Sequence, residues 1–175
     1  IFEVAKYFIL NFINYEIDDI KNGNEIKILN IESRLVSDFP VNDIDVDTKI
    51  KGKVDRIDEY NGTLRIIDYK TGIVEPRDLE IGDWGDLTLD YKYSKVIQVL
   101  SYAFMANKTA SYENIEAGII SFKRLKKGFI KFTQKGKPKQ TNITQEILDK
   151  YTIELKKLIL EISNKEIPFK EKDVE

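Results

Sequence analysis

Apolar residues recur through the first twenty positions at Phe2, Ala5, Phe8, Ile9, Phe12 and Ile13. That spacing marks one face of an α-helix, and Asn22-Gly23 closes it. From Ile26 to Val36 the pattern shifts to the alternation of a half-buried strand. Two further strands are predicted, over 49–59 and 63–70, and the Tyr60-Asn61-Gly62 between them is a tight hairpin signal. The stretch "FPVNDIDVD" ahead of them is turn-rich and acidic. Residues 75–93 show no period and hold Pro76, Gly82, Gly85 and the only Trp, so a long loop of a functional kind is expected there. A helix is expected over "SKVIQVLSYAFMANK" with Ser94 as its N-cap. A strand pair follows in "IEAGIISF" and "GFIKFTQ", then a last amphipathic helix from Thr144 to about Ser163, with Glu146 in its first turn. The predicted order is therefore α, three strands, α, two strands, α.

Composition narrows the chemistry. With 175 residues, 42% hydrophobic and 33% charged, the whole chain, 1–175, reads as one domain around a single core. No apolar run approaches the roughly 20 residues that span a bilayer, and no signal peptide is visible; a cytoplasmic protein with no membrane partner is expected. There is no cysteine, so this chain can hold no disulfide, no thiolate metal site and no iron–sulfur cluster through its own thiolates. Nor is there a histidine, which removes imidazole acid–base catalysis and His-ligated zinc. Hydrolytic chemistry would have to run on carboxylates, lysine, tyrosine and a hard cation. Because the sequence starts at Ile1 inside a helical pattern, it is expected to be a piece of a longer protein.

One strand carries the candidate chemistry. In "TLRIIDYKTG" the apolar run ends in Asp68, Tyr69 and Lys70. Residues two apart on a strand share a face, so Leu64, Ile66, Asp68 and Lys70 form a row that leaves the core and ends in two charges. The neighbouring strand offers Asp55 or Asp58 to the same space. Two adjoining carboxylates are costly unless a cation joins them, and Mg²⁺ suits such a site because it takes a few carboxylates and keeps several waters. Lys70 would then orient a water or offset charge growing on a phosphate. By spacing alone, Asp68 and Lys70 are better described as an ion pair at a strand end. Gln98 and Tyr102, at i and i+4 of the next helix, are by themselves better described as a half-exposed face.

Three short motifs in order change that balance: "GKVDRID", "IDYKTG" and "QVLSY". Together they resemble the Gly-X-X-Asp, Asp-X-Lys and Gln-X-X-X-Tyr motifs of the RecB-like branch of the PD-(D/E)XK nuclease superfamily, found in RecB and AddB recombination nucleases and in related phage and CRISPR-associated exonucleases. The resemblance is close over residues 32–102. It implies an α/β fold with a restriction-endonuclease-like core (αβββαβ), a mixed central sheet flanked by helices. It further implies that Asp55 and Asp68 bind Mg²⁺ or Mn²⁺ together with the backbone carbonyl of Tyr69, and that Lys70 is the catalytic lysine. Gln98 and Tyr102 would line the site and contact DNA or support the lysine. Glu32 resembles an acidic position often found in its strand, and fits a solvent-facing strand residue equally well. Many RecB-like nucleases also carry a metal-ligating histidine on an early helix; with none here, either that helix lies upstream of Ile1 or the protein is a histidine-free or decayed member, and the intact Asp55, Asp68 and Lys70 favour the first. The terminal "EIPFKEKDVE" resembles the segment that leads towards iron–sulfur cysteines in AddB-type proteins.

Charge distribution suggests where nucleic acid would run. The net charge is −2, yet "SFKRLKKGFIKFTQKGKPKQ" (121–140) holds many bases and no acid. Lys123, Arg124, Lys126, Lys127 and Lys131 are the candidate DNA contacts, acting through counterion release, whereas Phe122, Phe129 and Phe132 suit the core. The acidic stretch 38–47 would repel DNA. The reading that results is a Mg²⁺-dependent DNA nuclease of recombination or repair, partnered by a helicase or a helicase-like domain or subunit. The alternative is a non-catalytic DNA-binding or scaffolding module of the same fold. A nucleotide hydrolase of the P-loop type is excluded by the lack of its phosphate-binding motif.

Overall fold

In the computed structural model, which describes residues 2–107 and 112–169, helix α1 (Phe2–Lys21) runs into a turn where Gly23 takes φ 89°. Strand β1 (Ile26–Asp38) follows, then β2 (Lys49–Tyr60) and β3 (Thr63–Lys70). Asn61 and Gly62 join β2 to β3 with φ of 49° and 81°, the positive pair a two-residue hairpin needs to match strand twist. After the two-residue strand β4 (Glu80–Ile81) come α2 (Ser94–Asn107), β5 (Ile115–Ser121), the short strands β6 (Phe129–Lys131) and β7 (Thr133–Gln134), and α3 (Gln145–Ser163), capped by Thr144 as expected.

The main sheet has the order β1-β2-β3-β5-β6. β1, β2 and β3 form an antiparallel meander, β5 lies parallel to β3, and β6 returns antiparallel to β5. The parallel pairing of β3 with β5 requires a crossover, and α2 supplies it, laying Val96, Val99, Leu100 and Ala103 on the sheet. Behind α2, α3 contributes Ile147, Leu148 and Tyr151 to the same core. On the opposite face α1 lies across β2 and β3, with none of its residues fully buried. This is the mixed α/β arrangement of the restriction-endonuclease-like fold that the motifs imply.

Two expectations need correction. Residues 75–93 are not a structureless loop: they make three short 3₁₀ turns (Pro76–Leu79, Trp84–Asp86, Tyr91–Tyr93) and β4, which pairs parallel to β7. Leu79, Ile81 and Leu87 are fully buried there, so the segment is anchored by side chains at irregular spacing, which leaves no period to read. Ser94 is not an N-cap either. Its φ and ψ are helical because a 3₁₀ turn feeds straight into α2, and Asp90 caps that turn by accepting from the Lys92 N–H at 2.9 Å. Among the described residues no helix is long and apolar enough to cross a membrane.

Candidate active site

β3 delivers the two sides of the site through its alternation. Leu64 and Ile66 enter the core beneath α2, and the next two residues of that row are Asp68, 4% exposed, and Lys70. Lys70 Nζ stands 2.8 Å from Asp68 Oδ2, an ion pair in which that buried oxygen has no aligned hydrogen bond. The other oxygen, Oδ1, accepts from Gln98 Nε2 at 2.9 Å. Gln98 Nε2 also donates to Tyr102 Oη at 3.0 Å, so its two protons serve one carboxylate and one phenol. The amide orientation follows from chemistry, since a carboxylate only accepts. Gln98 and Tyr102 therefore act together, one helical turn apart on the face of α2 that looks at β3.

Asp55 reaches the site by a local break in β2. Val54 and Ile57 both enter the core beneath α2, although strict alternation would place residues three apart on opposite faces. Cα pairing with β3 ends at Arg56 opposite Ile67. Just beyond it, Asp55 Oδ2 accepts from the backbone N–H of Tyr69 at 2.7 Å. Asp55 is thereby tied to the residue between Asp68 and Lys70, near enough for its charge to act on Asp68. Burial raises the Asp68 pKa above its ordinary value; the Lys70 ammonium beside it pulls it back, and Asp55 pushes it further up.

Gly52, first residue of the Gly-X-X-Asp motif, has its own part. A Cβ there would lie 2.9 Å from Tyr102 Cε1 and 2.8 Å from Met105 Cε. Only a glycine lets α2 bring Tyr102 this close to β2, and so keeps Tyr102 within reach of Gln98.

The opposite face of β3 carries a group that the sequence reading overlooked. Asp58, fully buried, accepts from Arg65 Nε and Nη2 at 2.8 Å each and lies 2.6 Å from Arg56 Nη2. Arg56 also reaches Glu16 of α1 at 2.6 Å and the Tyr69 hydroxyl at 3.2 Å. Burial alone would lower the Arg56 pKa, but Tyr69, Asp58 and Glu16 outweigh it and hold the guanidinium charged. The Tyr69 ring packs edge-on against Phe12 of α1 and stacks on Phe122. Arg56 and Asp58 stand two apart in β2, which shares a face; their burial depends on α1 arriving from about forty residues earlier, and no short motif announces it. Of the two acids offered by β2, Asp58 thus belongs to this network and Asp55 to the site.

Other candidates lie elsewhere. Glu32, at φ 55°, pairs with Lys53 on the exposed surface rather than with Asp55 or Asp68. The basic segment is a 3₁₀ stretch (Phe122–Lys127) followed by β6 and β7 rather than a plain hairpin. Two of its cations are neutralised from afar, Arg124 by Glu75 at 2.9 Å and Lys131 by Glu116 at 2.8 Å, which weakens their case as phosphate contacts. Lys123, Lys126 and Lys127 are exposed and have no acidic partner among the described residues. Most of the terminal segment, residues 170–175, lies outside the described residues.

A buried aspartate thus faces a lysine at a strand end, with a second aspartate held beside it and a glutamine–tyrosine pair above them. The chain belongs to the PD-(D/E)XK nuclease superfamily, whose profile matches residues 8–173. No curated protein sequence matches it significantly. Members of the superfamily are usually metal-dependent nucleases, most often served by divalent ions such as Mg²⁺.

Proposed function

We propose that this chain is a Mg²⁺- or Mn²⁺-dependent DNA nuclease of the RecB/AddB type, working as one module of a larger recombination or repair helicase–nuclease. The observation that carries the reading is the convergence of Asp55, Asp68, Lys70, Gln98 and Tyr102 from β2, β3 and α2 on one end of β3. The donor set fits a hard ion. It offers carboxylate oxygens and no imidazole or thiolate, and Asp68 Oδ2 is a buried carboxylate oxygen met by Lys70 Nζ at 2.8 Å. Asp55, Asp68 and the Tyr69 carbonyl would hold the metal. Bound there, a divalent ion supplies Lewis-acid chemistry, activating water and neutralising phosphate charge.

The protein's own groups do the rest. Gln98 fixes the rotation of the Asp68 carboxylate, and Tyr102 fixes Gln98. The Tyr69 N–H holds Asp55 in place. Lys70 offsets the buried charge of Asp68 while the site is empty of substrate. With a phosphodiester present, its ammonium is placed to donate to a phosphate oxygen and to stabilise the charge that grows there. Lys123, Lys126 and Lys127 are the DNA contacts kept from the basic segment.

A second reading, a non-catalytic DNA-guiding module, is favoured by one observation: the described residues hold no cluster of three or more acidic side chains suited to a metal. Cleavage of single- and double-stranded DNA with Mg²⁺ or Mn²⁺, compared with Lys70→Ala, decides between them. Cutting that Lys70→Ala abolishes supports the nuclease. Equal cutting by both proteins removes Lys70 from the chemistry, and no cutting by either, over a range of metals and DNA forms, supports the guiding module.

A further inference from the structure

Helix α1 grips the molecule with one face and leaves an apolar one outside. Its inward side chains are Phe8 and Phe12, against Phe122 and Tyr69, Glu16, bonded to Arg56, and Asp19, bonded to Tyr60. The outer face of such a helix is ordinarily polar. Here it carries Leu10, Ile13, Ile17 and Ile20, each 41–55% exposed. Their spacing of three, four and three residues is that of the a and d positions of a coiled-coil seam, and the same seam continues towards the N-terminus through Lys6 and Glu3. Ile28 and Ile31 add to the surface from the sheet. They lie opposite Asp58 and Arg56 in the β1–β2 register, so they share the sheet face that α1 occupies, on the edge strand it leaves uncovered, and both are exposed. Six large aliphatic side chains left open on one side of the molecule exceed the scattered singles of an ordinary surface.

We propose that this surface pairs two copies of the chain, their α1 helices packed antiparallel about a two-fold axis. A two-fold contact uses the same patch twice and has to be self-complementary. With the axis level with Tyr15, Leu10 meets Ile20 of the second copy and Ile13 meets its Ile17, so all four aliphatic residues of the stripe find a partner of their own kind. Charge selects the direction. Glu3, Lys6, Glu25 and Lys27 are exposed, and none has an ion pair among the described residues. A parallel pair would set Glu3 against Glu3 and Lys6 against Lys6, like charges facing each other in the seam. The antiparallel pair brings Lys6 towards Glu25 and Glu3 towards Lys27, and does so twice. The stripe is bordered by Glu3 and Asp18 as well as by Lys6 and Lys21, so it lacks the basic border that carries an amphipathic helix to an anionic membrane. Because Asp68 is held by Gln98 of α2, on the other side of the sheet, both catalytic rows stay open in the dimer. The proposal goes beyond the nuclease reading and does not rest on it.

Sedimentation equilibrium of the chain without DNA, from about 1 to 100 µM so as to bracket a micromolar Kd, tests the pairing. The mass should rise from 20.4 kDa towards twice that value. Ile13→Glu with Ile17→Glu, both at exposed positions, should melt like the unmodified chain at the lowest concentration and weaken association at least about thirtyfold. Lys6→Glu alone should weaken it about threefold or more, and Lys6→Glu with Glu25→Lys should restore it. A mass fixed at 20.4 kDa over the whole range overturns the proposal and leaves the surface to a different chain. A dimer as tight in the Ile13→Glu, Ile17→Glu protein as in the unmodified chain also overturns it, by placing the contact elsewhere. Unweakened association of Lys6→Glu, or no recovery when Glu25→Lys is added, overturns the antiparallel order. None of these measurements involves cleavage, so their failure and the failure of the Asp68–Lys70 reading are separate results.

Discussion

Gly52→Ala probes the tightest approach between the sheet and α2. The added Cβ would sit 2.8 Å from Met105 Cε, and 2.9 and 3.2 Å from Tyr102 Cε1 and Cδ1. Ordinary carbon contacts lie near 3.5–4.0 Å, so the neighbours must retreat by about 0.5–1 Å. Met105 offers the far end of a flexible side chain and yields cheaply. Tyr102 cannot: its ring is fixed by α2, and its hydroxyl, 3.0 Å from Gln98 Nε2, would be drawn out of hydrogen-bond range. Overpacking of this kind costs about 1–3 kcal/mol, and each kcal/mol lowers Tm by roughly 2–4 °C in a chain of this size. Activity should fall further than stability, because Gln98 then loses its anchor and Asp68 its orientation. A displacement near 1 Å at a catalytic group costs up to about 100-fold, so a 10- to 100-fold loss in the rate of DNA cleavage is expected. Gly72→Ala, where a Cβ meets nothing within 4 Å, is the control. Melting curves and Mg²⁺-dependent cleavage time courses, run on both variants, give the answer. A Gly52→Ala protein that melts and cuts like Gly72→Ala would show that the close approach does not position Tyr102.

Asp68→Asn should abolish cleavage yet stabilise the protein in EDTA by an amount typical of relieved active-site strain, about 1 kcal/mol, or roughly 2–4 °C in Tm. Burial raises the folded-state pKa of Asp68, so the stability linked to its protonation is present below the unfolded carboxylate pKa and lost as pH rises through the folded one. The Tm gain of Asp68→Asn should accordingly vanish in acid and open as pH rises through that window, and a gap independent of pH would refute the assignment. Mg²⁺ should raise the Tm of the unmodified chain, by mass action on the folded state, and leave Asp68→Asn unmoved, as followed by differential scanning fluorimetry. Lys70→Ala should lose cleavage while keeping DNA affinity within about threefold, since phosphate attraction needs only the lysines of the 3₁₀ segment; a gel-shift titration checks it. Gly118→Ala should fail to fold, because its Cβ would collide with the Ile130 carbonyl oxygen and lie 2.9 Å from the Phe129 ring, forcing β6 off β5; recovery of soluble protein with a normal melting curve would contradict it.

The meander, the crossover helix and the terminal helix were legible because each rests on a short-range signal: alternation, Asn61-Gly62, the spacing on α2, the Thr144 cap. The row Leu64–Ile66–Asp68–Lys70 was legible for the same reason. What lay hidden depends on residues far apart in the chain. β4 exists because Glu80 and Ile81 pair with Thr133 and Gln134, and neither two-residue piece has a pattern of its own. Lys131 and Arg124 looked like free cations until Glu116 and Glu75 arrived from other elements. Glu32 fitted a site position and a solvent-facing strand residue equally well in the sequence, and its pairing with Lys53 comes from the neighbouring strand. Strand spacing left Asp55 and Asp58 open and only the Gly-X-X-Asp resemblance pointed to Asp55; the break in alternation between Val54 and Ile57 that puts Asp55 beside Tyr69 has no signal in the spacing.

Tyr69 occupies the middle of the Asp-X-Lys motif, where the motif specifies no side chain. Here its amide steadies Asp55, its hydroxyl meets Arg56 and its ring lies among Phe12 and Phe122. One residue therefore bonds and packs on both the outer helix and the reaction centre. Anyone grafting this site onto another α/β scaffold would have to transplant the cage under the strand along with the acids and the lysine above it.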